Sequence, residues 1–318
     1  MMKGMDHDAR LAQPMVQLKA ASLGDQGRRW LARLPALVSE LEARWSVRVE
    51  RSLGGGTSAF VGAARTADGT PVVIKVSLPE HGVHDEIGTL DRARGGGYVR
   101  LLAHDMAHRA MLLEALGPSL PQAHLPPERQ IEILCRLLTT AWTVPPPISG
   151  PGAVPHDKAT ALGALVRRLS GEPVAAPCSP RVLDRALLYA RRRAEAFDPA
   201  RSVQVHGDAA AANALSVLSP RSGAEAGFVF VDPDGFLGDP AYDAGVALRD
   251  WCAELMASDD PRALARHFAA RLAGGTGLDE QAIWEWGYLE RVSTGLYAFA
   301  MGAHALSRPF LDTAEALL

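Results

Sequence analysis

At 318 residues the chain is long enough to bury a large core as one large domain or two lobes, and its 47% apolar content excludes a disordered chain. A formal net charge of −3, with no Lys/Arg run longer than three residues, excludes the basic face that nucleic acid requires. Three widely spaced cysteines (Cys135, Cys178, Cys252) form neither a disulfide framework nor a metal knuckle and suit a reducing, cytoplasmic setting; no apolar run reaches the roughly 20 residues needed to cross a bilayer, and residues 1–10 lead into no signal-peptide core, so no membrane partner is expected.

Residues 1–24 show no periodic pattern. From 26 to 45, Trp30, Leu31, Leu34, Leu37, Val38, Leu41 and Trp45 recur at helical spacing and predict an amphipathic helix on the outside of a first lobe. The period then switches to two. Strands are predicted over 47–53, 59–65 and 71–76, joined by Gly54-Gly55-Gly56-Thr57-Ser58 and by the tight turn Ala67-Asp68-Gly69-Thr70. Three glycines between two strands let backbone N–H groups close over a phosphate, although most such hairpins bind nothing. No Gly-Lys-Ser/Thr follows, so this is not a Walker loop.

Lys75 lies within Val73-Ile74-Lys75-Val76 on the third strand. It is either an idle edge lysine or a phosphate ligand paired with an acid of the next helix, predicted over 81–94. Glu86 is the better partner, because Ile87 and Leu90 share its buried side; Asp85 competes. A fourth strand is expected over 98–103 and a fifth over 108–116, ending at Glu114-Ala115-Leu116 before the breaker Gly117-Pro118. That is the natural boundary between a lobe at 1–116 and a second at 117–318. Helices follow over 126–142, 157–169 and 180–197, with a Pro/Gly loop at 148–156. Arg191-Arg192-Arg193 reads as a solvated helix face or as a contact to nucleotide phosphate.

The densest chemistry lies in His206-Gly207-Asp208-Ala209-Ala210-Ala211-Ala212-Asn213 and in Val229-Phe230-Val231-Asp232, with predicted strands at 203–205, 215–218 and 228–231. A carboxylate and a carboxamide stand five residues apart, and a second carboxylate ends an apolar strand. Phosphoryl transfer uses such a set: one Asp accepts or orients the hydroxyl proton of the nucleophile, while the Asn and the other Asp hold magnesium on phosphate oxygens. These hard oxygen ligands suit magnesium and not zinc. His206 is read as a brace for the loop.

Asp239-Pro240 marks a helix start, with Asp as N-cap and Pro at the first position. At helical spacing Asp239, Asp243, Asp250 and Glu254 share one edge, with Leu248, Trp251 and Leu255 opposite. Residues 224–260 hold nine Asp/Glu and a single basic residue, Arg249. This acid surface, Asp250 and Glu254 included, either draws a polycationic substrate to the cleft or serves solubility. Asp234, just past Asp232, is within reach of magnesium or substrate. A long aromatic-rich helix is predicted over 281–306. Its spacing is mostly core-like; the alternative turns Glu285 and Glu290 toward an acceptor, with Trp286 stacked on a sugar ring.

His206-Gly207-Asp208…Asn213, Val231-Asp232-Pro233-Asp234-Gly235 and Gly238-Asp239-Pro240-Ala241-Tyr242-Asp243 resemble the H-G-D-x-x-x-x-N and I-D…G-D-P-x-x-D signatures of aminoglycoside phosphotransferases. Within them the sequence is most similar to the streptomycin 6-kinase and hydroxyurea-kinase branch, from about residue 53 to residue 301. The resemblance implies an α+β, protein-kinase-like fold of two lobes, the first with a five-stranded antiparallel sheet and the second mainly helical. It implies ATP and Mg2+ as cofactors, Asp208 as the catalytic residue, and Asn213 and Asp232 on the metal. It also places Gly54, Gly55, Gly56, Thr57, Ser58 and Lys75 at the phosphates, Glu86 on Lys75, and the backbone of Glu114, Ala115 and Leu116 at the adenine. Asp243 would tie down the catalytic loop.

The implied partner is a small hydroxylated cation, an aminoglycoside resembling streptomycin, and the implied outcome is antibiotic resistance. Seven positions separate Asp232 from Asp239, which leaves no platform for a peptide acceptor. The alternatives are a kinase of hydroxyurea or of a metabolite, a low-activity nucleotide-binding pseudokinase, and a structural protein without nucleotide. One departure stands out. Relatives often carry His two places after the catalytic Asp, where this chain has Ala210, and a lost charge-assisted contact to phosphate costs about 1.5–3 kcal/mol. Either another basic group compensates or turnover is slow.

Overall fold

Period-two alternation builds the first lobe. In the computed structural model, which describes residues 12–54, 56, 58–79, 82–149, 151–171 and 177–318, strands β1 (Val47–Ser52), β2 (Ala59–Thr66), β3 (Pro71–Ser77), β4 (Leu101–Asp105) and β5 (Ala110–Glu114) form one antiparallel sheet in the order β1-β2-β3-β5-β4. Val72, Ile74 and Val76 of β3 join Ala110 and Leu112 of β5 in a core on one face. Met111 and Leu113 belong to a second core on the other face. Successive strand side chains point to opposite faces, so Lys75 is sent to the second face, away from Ile74 and Val76.

The first core is closed by two helices, α1 (Pro14–Ser22) and α2 (Gly24–Trp45). The predicted stripe of α2 supplies Leu34, Leu37, Val38 and Leu41. The first of the two helices is a correction. Only Val16 and Ala20 of α1 are buried, too few to draw a periodic pattern in the sequence. Helix α3 (Val83–Ala93) turns Ile87 and Leu90 into the second core.

The predicted fourth and fifth strands shift at their ends. Tyr98 does not lie in β4; it bridges to Phe230, and the Val99 N–H donates to the Phe230 carbonyl at 2.9 Å. The run 108–116 divides at Ala115. β5 stays in the sheet, while β6 (Leu116–Ser119) leaves it to pair with β8 (Ala214–Val217), which also pairs with β9 (Phe228–Phe230). A second small ladder joins β7 (Val203–Val205) to β10 (Phe236–Gly238). The loop 206–213 thus runs from β7 to β8, and the turn 231–235 from β9 to β10. Both connections span the same two ladders, which forces them side by side.

The rest of the second lobe is helical: α4 (Pro127–Ala141), α5 (Lys158–Ser170), α6 (Pro180–Glu195), α7 (Pro240–Leu248), α8 (Cys252–Met256), α9 (Pro261–Thr276), α10 (Glu280–Ala300) and α11 (His304–Ala316). Asp239 caps α7 by accepting from the Ala241 N–H. α7 crosses α10 in close contact because residue 245 is glycine; a Cβ there would lie 2.3 Å from the Cβ of Trp286.

Two predicted helices prove shorter. The one carrying the acidic edge stops at Leu248, and Trp251 turns the chain through the left-handed region at φ 58. Asp250 and Glu254 therefore do not continue its face. Residues 241–248, Asp243 among them, are all buried, so α7 has no solvated edge. The helix predicted over 281–306 breaks at Gly302, φ 76, and returns as α11. No helix among the described residues is long and apolar enough to cross a membrane.

Candidate active site

The loop 206–213 is pinned from beneath by Asp243. Its fully buried carboxylate accepts from the backbone N–H of His206 at 2.8 Å, that of Gly207 at 2.9 Å, and Trp142 Nε1 at 2.9 Å. Burial raises the pKa of Asp243, against the opposing pull of these donors. His206 is buried between Tyr98, stacked at 5.8 Å, and Phe230 at 4.7 Å. Its Nδ1 accepts from the Asp208 N–H at 3.1 Å and its Nε2 lies 2.9 Å from the Val231 carbonyl. A neutral ring with its proton on Nε2 satisfies both. One imidazole thus ties the loop to the strand that delivers Asp232. Gly207 sits at φ 91, and a Cβ there would come within 2.6 Å of Asp234 Cβ and 2.9 Å of the Phe236 ring, so glycine is required.

Asp208 is half-exposed above this base. Its Oδ2 accepts from Asn213 Nδ2 at 3.0 Å, and its Oδ1 accepts from Arg249 Nη2 at 2.9 Å. Asn213 Nδ2 also donates to the Asp208 carbonyl at 2.9 Å. With the amide nitrogen engaged, the amide oxygen of Asn213 is the atom left to meet a cation. The Val231 N–H donates to the Asn213 carbonyl at 2.9 Å, which brings Asp232 alongside. Asp232 is half-exposed and held at φ 57, a left-handed conformation that Asp tolerates better than most residues.

Lys75 crosses from the sheet to meet this group. Its Nζ lies 2.5 Å from Asp232 Oδ1 and 2.6 Å from Glu86 Oε1. Burial opposes the charge on Lys75, but the two carboxylates outweigh it and raise its pKa. Glu86 is pushed up to about 7 by burial, against the pull of Lys75. The two directions are compatible, because two acids share one ammonium and the buried acid carries the desolvation cost.

Among the described residues no three His, Cys, Asp or Glu side chains cluster as a metal site. A magnesium ion carried on nucleotide phosphates needs only one or two protein carboxylates. Asp232 with the free amide oxygen of Asn213 fits that need.

The remaining predicted site residues divide. Gly54, Gly56 and Ser58 lie at the β1–β2 turn, with Ser58 Oγ accepting from Lys19 Nζ of α1 at 2.6 Å; Gly55 and Thr57 fall outside the described residues. The Glu114 carboxylate is committed to structure. It accepts from the Arg100 N–H at 2.8 Å and from Arg221 through Nε and Nη2, and Arg221 also donates to the Gly95 and Tyr98 carbonyls. The Glu114 N–H is engaged as well, donating to the Arg100 carbonyl at 3.1 Å where the chain leaves the sheet. Asp234 is exposed beside Gly207.

Several acceptor candidates are corrected. Asp250 accepts from the Ala211 N–H at 3.0 Å and braces the loop. Glu254 is exposed on α8, beyond the break. Glu285 is buried and ion-paired with Arg192 and Arg193, at 2.9 and 2.7 Å. Trp286 is 2% exposed, donates to Asp239 Oδ2 at 2.9 Å and packs edge-on against Tyr242, so it offers no face to a sugar. Glu290 is also buried, but it accepts from Arg249 Nη1 at 3.1 Å and from the Tyr242 hydroxyl at 2.8 Å, one residue removed from Asp208. Arg249 itself escaped the sequence reading. The one signal was its isolation, as the lone basic residue among nine acids.

With this geometry in place, the comparisons with known proteins are specific. The family model for aminoglycoside/hydroxyurea antibiotic resistance kinases matches residues 44–302. The chain is 29% identical to a streptomycin 6-kinase of Streptomyces glaucescens, over 96% of each chain. It is 26% identical to a streptomycin 6-kinase of Streptomyces griseus, over 99% of each. Among solved structures it is similar to an aminoglycoside phosphotransferase from Streptomyces rimosus in complex with ADP and streptomycin. That match has a TM-score of 0.52 at 19% identity and covers 82% of this chain and 98% of the other.

Proposed function

The chain belongs to the aminoglycoside/hydroxyurea antibiotic resistance kinases and is a small-molecule kinase, and from that premise we propose that it transfers the γ-phosphate of ATP, with Mg2+, to a hydroxyl of a streptomycin-like aminoglycoside. The observation that carries the proposal is the meeting of Asp208, Asn213, Asp232 and Lys75 across adjacent connections of two ladders. The substrate class is supported by the two streptomycin 6-kinases similar over nearly the whole chain. Nucleotide use is supported by the fold shared with a phosphotransferase solved with ADP.

In this reading nucleotide binds between a lobe at 1–116 and a lobe at 117–318, with the backbone of 114–116 at the adenine and the turn 54–58 over the phosphates. Lys75 holds the α- and β-phosphates and Glu86 holds Lys75. Asn213 Oδ1 and Asp232 would hold magnesium, which neutralises charge on the phosphate oxygens. Asp208 receives or orients the acceptor hydroxyl proton. Asp243, Asp250 and His206 keep that carboxylate in place from below. A cytoplasmic site of action fits three free cysteines, two of them with thiols pushed up to about 11 by burial.

The test is a panel of streptomycin, other aminoglycosides and hydroxyurea with radiolabelled ATP, alongside Asp208→Ala. Labelled streptomycin from the wild type, none from the variant, and unchanged ATP binding by both is the expected result. Transfer to hydroxyurea alone redirects the substrate assignment. Wild-type turnover by Asp208→Ala overturns the site.

A further inference from the structure

The alanines at 209–212 leave Asp208 without a cation from its own loop, yet the fold supplies one from elsewhere. Arg249 follows the last turn of α7 and is 12% exposed. Its Nη2 donates to Asp208 Oδ1 at 2.9 Å, while its Nη1 donates to Glu290 Oε2 at 3.1 Å and to Thr294 Oγ1 at 3.3 Å, both on α10. Asp250 Oδ1 stands 4.0 Å from its Nε. The guanidinium therefore spans two elements, with one arm anchored to α10 and the other on the reacting carboxylate. A planar fork does this; a lysine ammonium, a point charge on a flexible stem, does not.

The consequence falls on Asp208. One oxygen is held by Arg249 and the other by Asn213, so the carboxylate cannot rotate, yet each oxygen keeps a lone pair for an incoming hydroxyl. Without Arg249 a half-exposed carboxylate would face Asp232 and the charge of a triphosphate with no cation of its own. It would be held by Asn213 alone and could turn about that single contact.

We propose that Arg249 is the positioning residue of phosphoryl transfer, fixing the Asp208 carboxylate in the orientation that meets the acceptor. This rests on Asp208 being the group that meets the acceptor hydroxyl.

The test uses the full chain with radiolabelled ATP and streptomycin, and compares Arg249→Gln, Arg249→Lys, Asp208→Asn and the double variant Asp208→Asn/Arg249→Gln. Arg249→Gln lowers kcat by about 10- to 100-fold, the loss expected for one charge-assisted hydrogen bond, while KM for ATP and calorimetric Mg-ATP binding stay within about twofold of wild type. Arg249→Lys recovers only part of the rate. The double variant is no slower than Asp208→Asn, because Arg249 acts through that carboxylate. Thr294→Val, which removes one anchor and keeps the fold, gives a smaller drop of about threefold in kcat alone. A kcat for Arg249→Gln within twofold of wild type, multiplicative losses in the double variant, or unchanged kcat in Thr294→Val overturns the inference. A wild type that transfers no label to streptomycin overturns the proposed function on which the inference rests instead.

Discussion

Asp243→Ala isolates the force that holds the catalytic loop. The carboxylate satisfies three donors: the N–H groups of His206 and Gly207 and the indole Nε1 of Trp142. Truncation removes the acceptor of all three, and His206 and Gly207 are both buried. Each unsatisfied donor costs about 1–3 kcal/mol, so about 3–6 kcal/mol is lost once partial relaxation at the half-buried Trp142 is allowed. An unfolding entropy of about 2.1 cal/mol/K per residue gives roughly 0.67 kcal/mol/K for a chain of this length, so one cooperative transition moves down by about 5–9 °C. The same change unpins the loop beneath Asp208, and kcat falls by at least about tenfold through misplacement of that carboxylate. Asp243→Asn, with one oxygen to accept and an amide turned against a donor, falls between the two. Scanning calorimetry reads the first effect and labelled-phosphate transfer the second. A melting temperature for Asp243→Ala within about 1 °C of wild type would refute the reasoning, since three buried donors cannot be orphaned at no cost.

Three further outcomes follow. Asp208→Ala abolishes transfer while calorimetric binding of Mg-ATP persists, because Asn213 keeps its hydrogen bond to the backbone carbonyl of residue 208 and Lys75 keeps Glu86 and Asp232. Burial pushes the Glu86 carboxyl up to about 7 from 4.5, so between those values the folded chain holds a proton that the unfolded chain has released. Stability therefore declines as pH rises through that window, and Glu86→Gln removes this contribution, as urea midpoints measured from pH 4 to 8 would register. Trp286→Phe loses the hydrogen bond to Asp239, about 1 kcal/mol, and lowers the melting temperature. KM for the acceptor stays unchanged, whereas a rise would return Trp286 to the substrate site.

The sequence discloses those parts of the site whose groups lie close together along the chain. Asp208 and Asn213 share one loop, and Asp232 ends the next apolar strand, so their convergence needs only the pairing of short neighbouring strands. The face of Lys75 follows from alternation along β3, and its partner from the first turn of the next helix. What stays hidden depends on a break or on distance. Trp251 takes a left-handed turn without the glycine that usually announces one, so a periodic reading carries Asp250 and Glu254 along a helix that has already ended. Glu285 looks available until Arg192 and Arg193, more than 90 positions earlier, close over it. Trp286 looks like a platform until the close approach of α7 at Gly245 covers it. Arg249 lies 41 residues from Asp208, and no local pattern ties a guanidinium at the end of one helix to a carboxylate in a loop.

The acid surface expected along one helix edge is absent, yet the charge logic behind it survives in another form. The cations of the site, Lys75 and Arg249, are buried or nearly so, whereas Asp208, Asp232 and Asp234 face outward. A visitor to the cleft therefore meets carboxylates first and finds the positive groups only behind them. Such a surface repels a bare triphosphate and welcomes one whose charge is masked by a divalent ion. It also favours an acceptor bearing amines or guanidines over an anionic metabolite. Burying the cations serves a second end, because each is fixed by two carboxylates and so presents its remaining hydrogen-bonding directions without reorganising. Under the proposed function, selectivity for a cationic acceptor comes from the depth at which the two signs of charge are placed and requires no dedicated acidic helix.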